Sequence, residues 1–166
     1  DLGLEANPWD GWATHTRAHI FEMQGEYADG LTFMETRRDL WTRASGLRGH
    51  NSWHQALLNI ALGRWDEVIS LYDRELAPRL GNITIADPAS LLYRLALIEP
   101  NQLEVDMKEE ISIRFKQVYH CYRQPPDSYR HVLGFLDVHL MMAALGAGAT
   151  AEAVELADSL PRSKLA

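Results

Sequence analysis

The feature that most constrains this chain is a recurrence. When Gly25 is set over Gly63, an offset of 38 residues, Ala18 falls on Ala56, Tyr27 on Trp65 and Gly30 on Val68. Each unit reads as helix, glycine turn, aromatic, helix, in Glu22-Met23-Gln24-Gly25-Glu26-Tyr27 and Ala61-Leu62-Gly63-Arg64-Trp65. A repeat of this length is one helical hairpin that cannot bury its apolar face alone and must stack on a neighbour. The glycine ends the first helix in a left-handed conformation at no steric cost. The alanine lets the second helix approach closely, and the aromatic is expected to wedge between the two.

Two further hairpins follow less regularly. Asp87-Pro88 reads as an N-cap and first-turn proline opening a helix that Pro100 closes. Leu103, Met107, Ile111, Phe115, Val118 and Tyr122 then make one helical stripe, which Pro125-Pro126 ends. The last copy is degenerate: His139 to Leu145 is apolar, Gly146-Ala147-Gly148 turns it, and Ala151 to Ala157 returns without a turn aromatic. The expectation is eight helices at about 9–24, 27–44, 50–62, 65–77, 87–98, 103–121, 130–145 and 150–159, with ends good to about two to four residues. They pair into hairpins at about 9–44, 50–77, 87–121 and 130–159, in one domain over 1–166. The β-like run Gly81 to Ile85 reads as an extended loop, and the loops at about 78–86 and 123–129 are the best candidate breaks.

Composition narrows the function. The formal charge is −7 and the 16 basic residues are scattered, so no nucleic acid is expected as partner. Arg37-Arg38 and Arg43 to Arg48 read as solvated helix faces. No run is long and apolar enough for a membrane span. The single cysteine, Cys121, allows no internal disulfide, favours a reducing, cytoplasmic setting, and reads as a packed thiol. The start Asp1-Leu2-Gly3-Leu4 has neither signal-peptide architecture nor an initiator Met, which suggests a portion of something longer. End hairpins exposed by truncation would invite self-association.

Two segments carry a resemblance. They are His15-Thr16-Arg17-Ala18-His19-Ile20-Phe21-Glu22-Met23 with Gly25, and His50-Asn51-Ser52-Trp53-His54-Gln55-Ala56-Leu57 running on to Leu71-Tyr72-Asp73. They resemble the tetratricopeptide repeat domain 38-like family, as do Asp87 to Leu95 and Phe135 to Ala143, in the same order along the chain. The resemblance implies an all-α fold, a right-handed α-α superhelix of about four tetratricopeptide-like hairpins, here an internal portion of a longer member. It implies no particular activity.

The chemically suggestive residues lie on the first helices of the two regular hairpins. His15, His19 and Glu22 share one face at i, i+4 and i+7, and His50 and His54 make a second i, i+4 pair. In arrays of this kind first helices line the concave groove. Counting back from the turn glycines puts Trp12, His15, His19, Glu22, His50 and Trp53 on that binding face, with Leu57 and Ile60. Asn51, His54, Asp137 and His139 read as structural polar residues, with His54 and His139 in an equivalent register and hydrogen-bonded to Asp137 or Asn51. The main expectation is therefore a scaffold that binds a peptide or protein partner, with no catalytic residue and no cofactor. The alternative is a metal-assisted hydrolase holding an ion with His15, His19, Glu22 and His50, although the chain lacks His-Glu-x-x-His. Ser45, Ser52 and Ser90 lack a nucleophile elbow, and Gly146-Ala147-Gly148-Ala149 lacks the Lys-Ser/Thr of a phosphate loop. Asp66-Glu67 and Lys108-Glu109-Glu110 read as solvated charge.

Overall fold

A computed structural model describes residues 2–43, 46–82, 84–98, 105–123, 131 and 133–160. These residues form an all-helical protein with no strand among them. The stripe residue Leu103, the prolines at 100, 125 and 126, and Ser45 lie outside the described residues, as does Ile83 of the extended run. No described helix is long and apolar enough to cross a membrane. The chain divides into two compact units, Asp1–Arg79 and Leu80–Ala166.

In the first unit a short α1 (Leu2–Ala6) precedes α2 (Gly11–Gln24), α3 (Tyr27–Thr36), α4 (Arg38–Trp41), α5 (Arg48–Ala61) and α6 (Trp65–Leu71). Helix α2 starts at Gly11 because the Asp10 carboxylate caps it, accepting from the Trp12 and Ala13 amides at 2.9 and 3.1 Å. It ends at Gly25, whose φ of +73° is left-handed. The hairpins α2–α3 and α5–α6 pack as pairs, and α5 also packs on α2 and α3. Their shared core is Ala18, Leu31, Met34, Trp41 and Leu58. Closure depends on small residues. A Cβ on Gly30 would stand 2.7 Å from the Phe21 Cβ, so only glycine fits where α3 crosses α2. The turn aromatics do less than expected: Tyr27 is exposed and Trp65 only half-buried.

The helix expected at 27–44 is broken at Arg37, where φ is −104° and ψ is 8°. The buried Trp41 indole donates to the Met34 carbonyl at 2.9 Å. In an unbroken helix that carbonyl would accept the Arg38 amide, so the break turns Trp41 into the core while its N–H stays bonded. The second hairpin also departs from a plain helix. After α6 the chain widens into a π-helical turn, Tyr72–Leu76, and then tightens into a 3₁₀ turn, Ala77–Arg79. The π turn rotates Glu75 fully out of solvent. There its carboxylate meets Arg48 Nε at 2.9 Å and Arg79 Nη1 at 3.3 Å, with Arg38 bonded to it and Arg74 at 3.8 Å. Arg38 and Arg48 are thus not solvated charge, as their sequence context suggested; they tie α4 and α5 to the turn.

The second unit holds α7 (Ala86–Ala96), α8 (Val105–Arg123), α9 (Gly134–Gly146) and α10 (Thr150–Ser159). Helix α9 packs against each of the other three, and α7 packs on α8. Leu91, Leu92, Leu95, Ile111, Phe115, Val118, Leu140, Ala143, Ala153 and Leu156 make its core. Helix α7 begins two residues earlier than the Asp87-Pro88 signal implied, with Ile85 rather than Asp87 at the cap. Pro88 still lies in the first turn, where no intrahelical amide bond is lost.

Two substitutions and one control test these contacts. Gly30→Ala should destabilise the chain by about 1–3 kcal/mol through overpacking, while Gly46→Ala, where a Cβ meets nothing within 4 Å, should be near neutral. Glu75→Gln should lower stability by about 2–4 kcal/mol, because it leaves guanidinium groups crowded without their counter-charge. Urea denaturation reads both.

Candidate functional site

Helical periodicity places His15, His19 and Glu22 on one face of α2, and His50, Trp53 and His54 on the facing side of α5. Packing of α5 on α2 then brings the two sets together. The ring centroid of His15 lies 4.6 Å from His19, 4.8 Å from His50 and 4.9 Å from His54. His19 and His54 are 4.4 Å apart. Four imidazoles therefore touch within one cluster, contributed equally by the two helices.

Nitrogen geometry is tighter still. His15 Nε2 is 3.0 Å from His19 Nε2 and 3.1 Å from His50 Nε2. A neutral imidazole carries one N–H and one lone pair, so the single Nε2 of His15 cannot form two independent linear bonds with these neighbours. At the inner end, His54 Nδ1 donates to Glu22 Oε1 at 2.6 Å. A carboxylate only accepts, so Nδ1 carries the proton and Nε2 keeps its lone pair. That Nε2 is buried and has no hydrogen-bond partner among the described residues. An unsatisfied buried acceptor of this kind costs about 1–3 kcal/mol.

Burial and neighbouring rings hold His15 and His54 uncharged. The His15 pKa is lowered from 6.5 to about 4, by desolvation first and then by the charges of His54, His50 and His19, against a smaller upward pull from Glu22. Burial also pushes His54 down, partly offset by its bond to Glu22.

Two indoles frame the imidazoles. Trp53 is half-buried and stacks on His50, with centroids 5.3 Å apart and planes 11° from parallel. Trp12 is 66% exposed and meets His15 edge-on at 5.7 Å. All six residues assigned to the binding face, Trp12, His15, His19, Glu22, His50 and Trp53, lie in this assembly. Of the four structural polar residues, His54 and His139 have partners other than the expected Asn51 or Asp137. Glu22, rather than Asn51 or Asp137, takes the His54 proton. Asn51 is buried and donates to the Gly11 carbonyl at 3.1 Å, tying α5 to the start of α2. In the second unit, Asp137 accepts the His131 amide at 2.9 Å and His139 donates to the Phe135 carbonyl at 2.6 Å. Cys121 is half-buried on α8.

Sequence reasoning missed the role of His54, because its register counted it as packing. It is buried as that register implies, yet it also faces α2. The available signal was its i, i+4 relation to His50 together with Glu22 at the far end of the α2 face. In comparison with known proteins, no family model matches this chain and no solved structure matches it. What fold and site define is a class only: an all-α protein of packed helix hairpins with an imidazole cluster between two first helices.

A pH dependence follows from the lowered pKa. Unfolding restores the His15 pKa to 6.5, so the unfolded chain takes up the proton first as pH falls. Stability should be greatest above about pH 6.5 and should decline towards about pH 4. His15→Gln should flatten that decline in urea titrations run at stepped pH; an unchanged slope would assign it to other groups.

Proposed function

We propose that this chain is a partner-binding module of tetratricopeptide-like hairpins, an internal portion of a protein similar to the tetratricopeptide repeat domain 38-like family. In this reading the hairpins build a right-handed superhelix, the setting is cytoplasmic, and a peptide or protein segment lies across the face formed by α2 and α5. The observation that carries it is the exposed Trp12 beside the His15–His50–Trp53 stack. Large, stiff indoles bury much area on contact at little entropic cost, and they dominate many recognition surfaces. Ile20 and Met23 are exposed on the same helix and extend its apolar surface. The imidazoles beside them supply donors and acceptors that would set the register of a bound backbone.

The hydrolase alternative needs Glu22 as a ligand with His15 and His19, and His50 as fourth ligand or acid/base. That carboxylate is already engaged by His54 at 2.6 Å, which weakens the alternative in that form. The binding reading can be tested by panning a random peptide library on the immobilised chain. Selected peptides should share a consensus and lose tenfold or more in affinity, roughly 1.4 kcal/mol, on Trp12→Ala with Trp53→Ala, at unchanged far-ultraviolet circular dichroism. Equal binding by the double variant would remove this reading.

A further inference from the structure

The imidazole cluster beneath the indoles poses a separate question, because nothing in peptide recognition requires four histidines in mutual contact. We infer that it is a transition-metal site, with His15, His19 and His54 as nitrogen ligands and Glu22 as the outer carboxylate that orients His54.

Three observations converge on it. First, a ring nitrogen from each of His15, His19 and His54 lies within 4.8 Å of those of the other two. A tetrahedral ion with nitrogen at about 2.0–2.1 Å separates its ligands by roughly 3.3 Å. The His15–His19 Nε2 separation of 3.0 Å is already close to that, and His54 lies within the same 4.8 Å group. Second, His54 is fully buried, and its Nε2 lone pair has no partner among the described residues. A hydrogen-bonded histidine core would leave no such lone pair, whereas a bound cation would take it up. Third, the other nitrogen of His54 donates to Glu22 at 2.6 Å. A histidine that binds metal through one nitrogen almost always gives its remaining N–H to a carboxylate, carbonyl or water, which fixes the tautomer and strengthens the ligand.

The ligand chemistry selects the ion. Three neutral imidazoles with the carboxylate held outside the set suit zinc, copper(II) or nickel(II), whereas calcium and magnesium require oxygen ligands. His50 stands next to this set. Its Nε2 reaches His15 at 3.1 Å while its ring stacks on Trp53, so it borders the site without belonging to the three-residue group. Helix geometry explains why the two pairs meet. An i, i+4 pair presents both rings from one face, and packing of α5 on α2 sets two such faces against each other.

The test is titration of the full chain, freed of metal by chelator and dialysis, with zinc chloride by calorimetry and with cobalt(II) by visible absorption. One equivalent of zinc should bind, and cobalt should develop the visible bands of a four- or five-coordinate nitrogen site. His19→Gln, at the exposed edge, should weaken zinc binding about 100-fold or more, as should His15→Gln. Glu22→Gln should weaken it by about 10–100-fold while keeping the cobalt spectrum, the behaviour of an orienting carboxylate. His120→Gln, outside the cluster, should change nothing. If His54→Gln does not fold, His19→Gln still decides, because its side chain lies at the exposed edge of the cluster. Absence of saturable zinc binding, zinc affinity unchanged in His15→Gln/His19→Gln, or calcium bound as tightly as zinc would each overturn the assignment. Trp12→Ala should leave zinc binding intact, so loss of the peptide reading and loss of the metal site are separately visible.

Discussion

The contact between His54 and Glu22 organises the first unit's site. It joins α5 to the last turn of α2 at 2.6 Å, inside the protein, with the histidine fully buried. A short charge-assisted bond of this kind is directional, so it fixes the His54 ring plane and its tautomer together. Everything else in the cluster follows from that choice. The lone pair of His54 is left on Nε2, the other imidazoles gather around the ring, and Glu22 is removed from any direct role as a ligand. At the opposite end the Asn51 amide holds α5 to the Gly11 carbonyl. The two bonds bracket the imidazole cluster at both ends of α2.

Electrostatics divides the first unit into two regions of different character. Around Glu75, arginines drawn from α4, α5 and the turns after α6 surround one buried carboxylate, and charge is retained because the pairs are hydrogen-bonded. Between α2 and α5 the opposite holds. Burial and neighbouring rings keep His15 and His54 neutral. The same helix, α5, serves both regions: Arg48 goes to the carboxylate, His50 and His54 to the cluster. A helix presents different faces at different registers, so the two regions need no separate element.

Much of the fold was legible because helix signals are local. The glycine turns at Gly25 and Gly63 and the apolar stripe through Ile111, Phe115 and Val118 are written in neighbouring residues. The departures arose where a distant contact overrides local preference. The Trp41 indole takes the Met34 carbonyl and breaks a helix that its own sequence would continue. The π turn brings Glu75 to arginines that lie about thirty residues earlier in the chain, a pairing no local window contains.

The sequence by itself determined that the chain is helical, where its hairpins turn, and that His15, His19 and Glu22 share one face while His50 and His54 share another. These follow from a period of about 3.6 residues per turn and from glycine's access to left-handed backbone. Only tertiary structure decided that the faces meet, and that Glu22 belongs to His54 rather than to its neighbours on α2. The physical reason is that the axial register between two helices is set by how their small and large residues interlock. Ala18, Gly30 and Leu58 set it here, and that fit depends on shape across helices far apart in sequence.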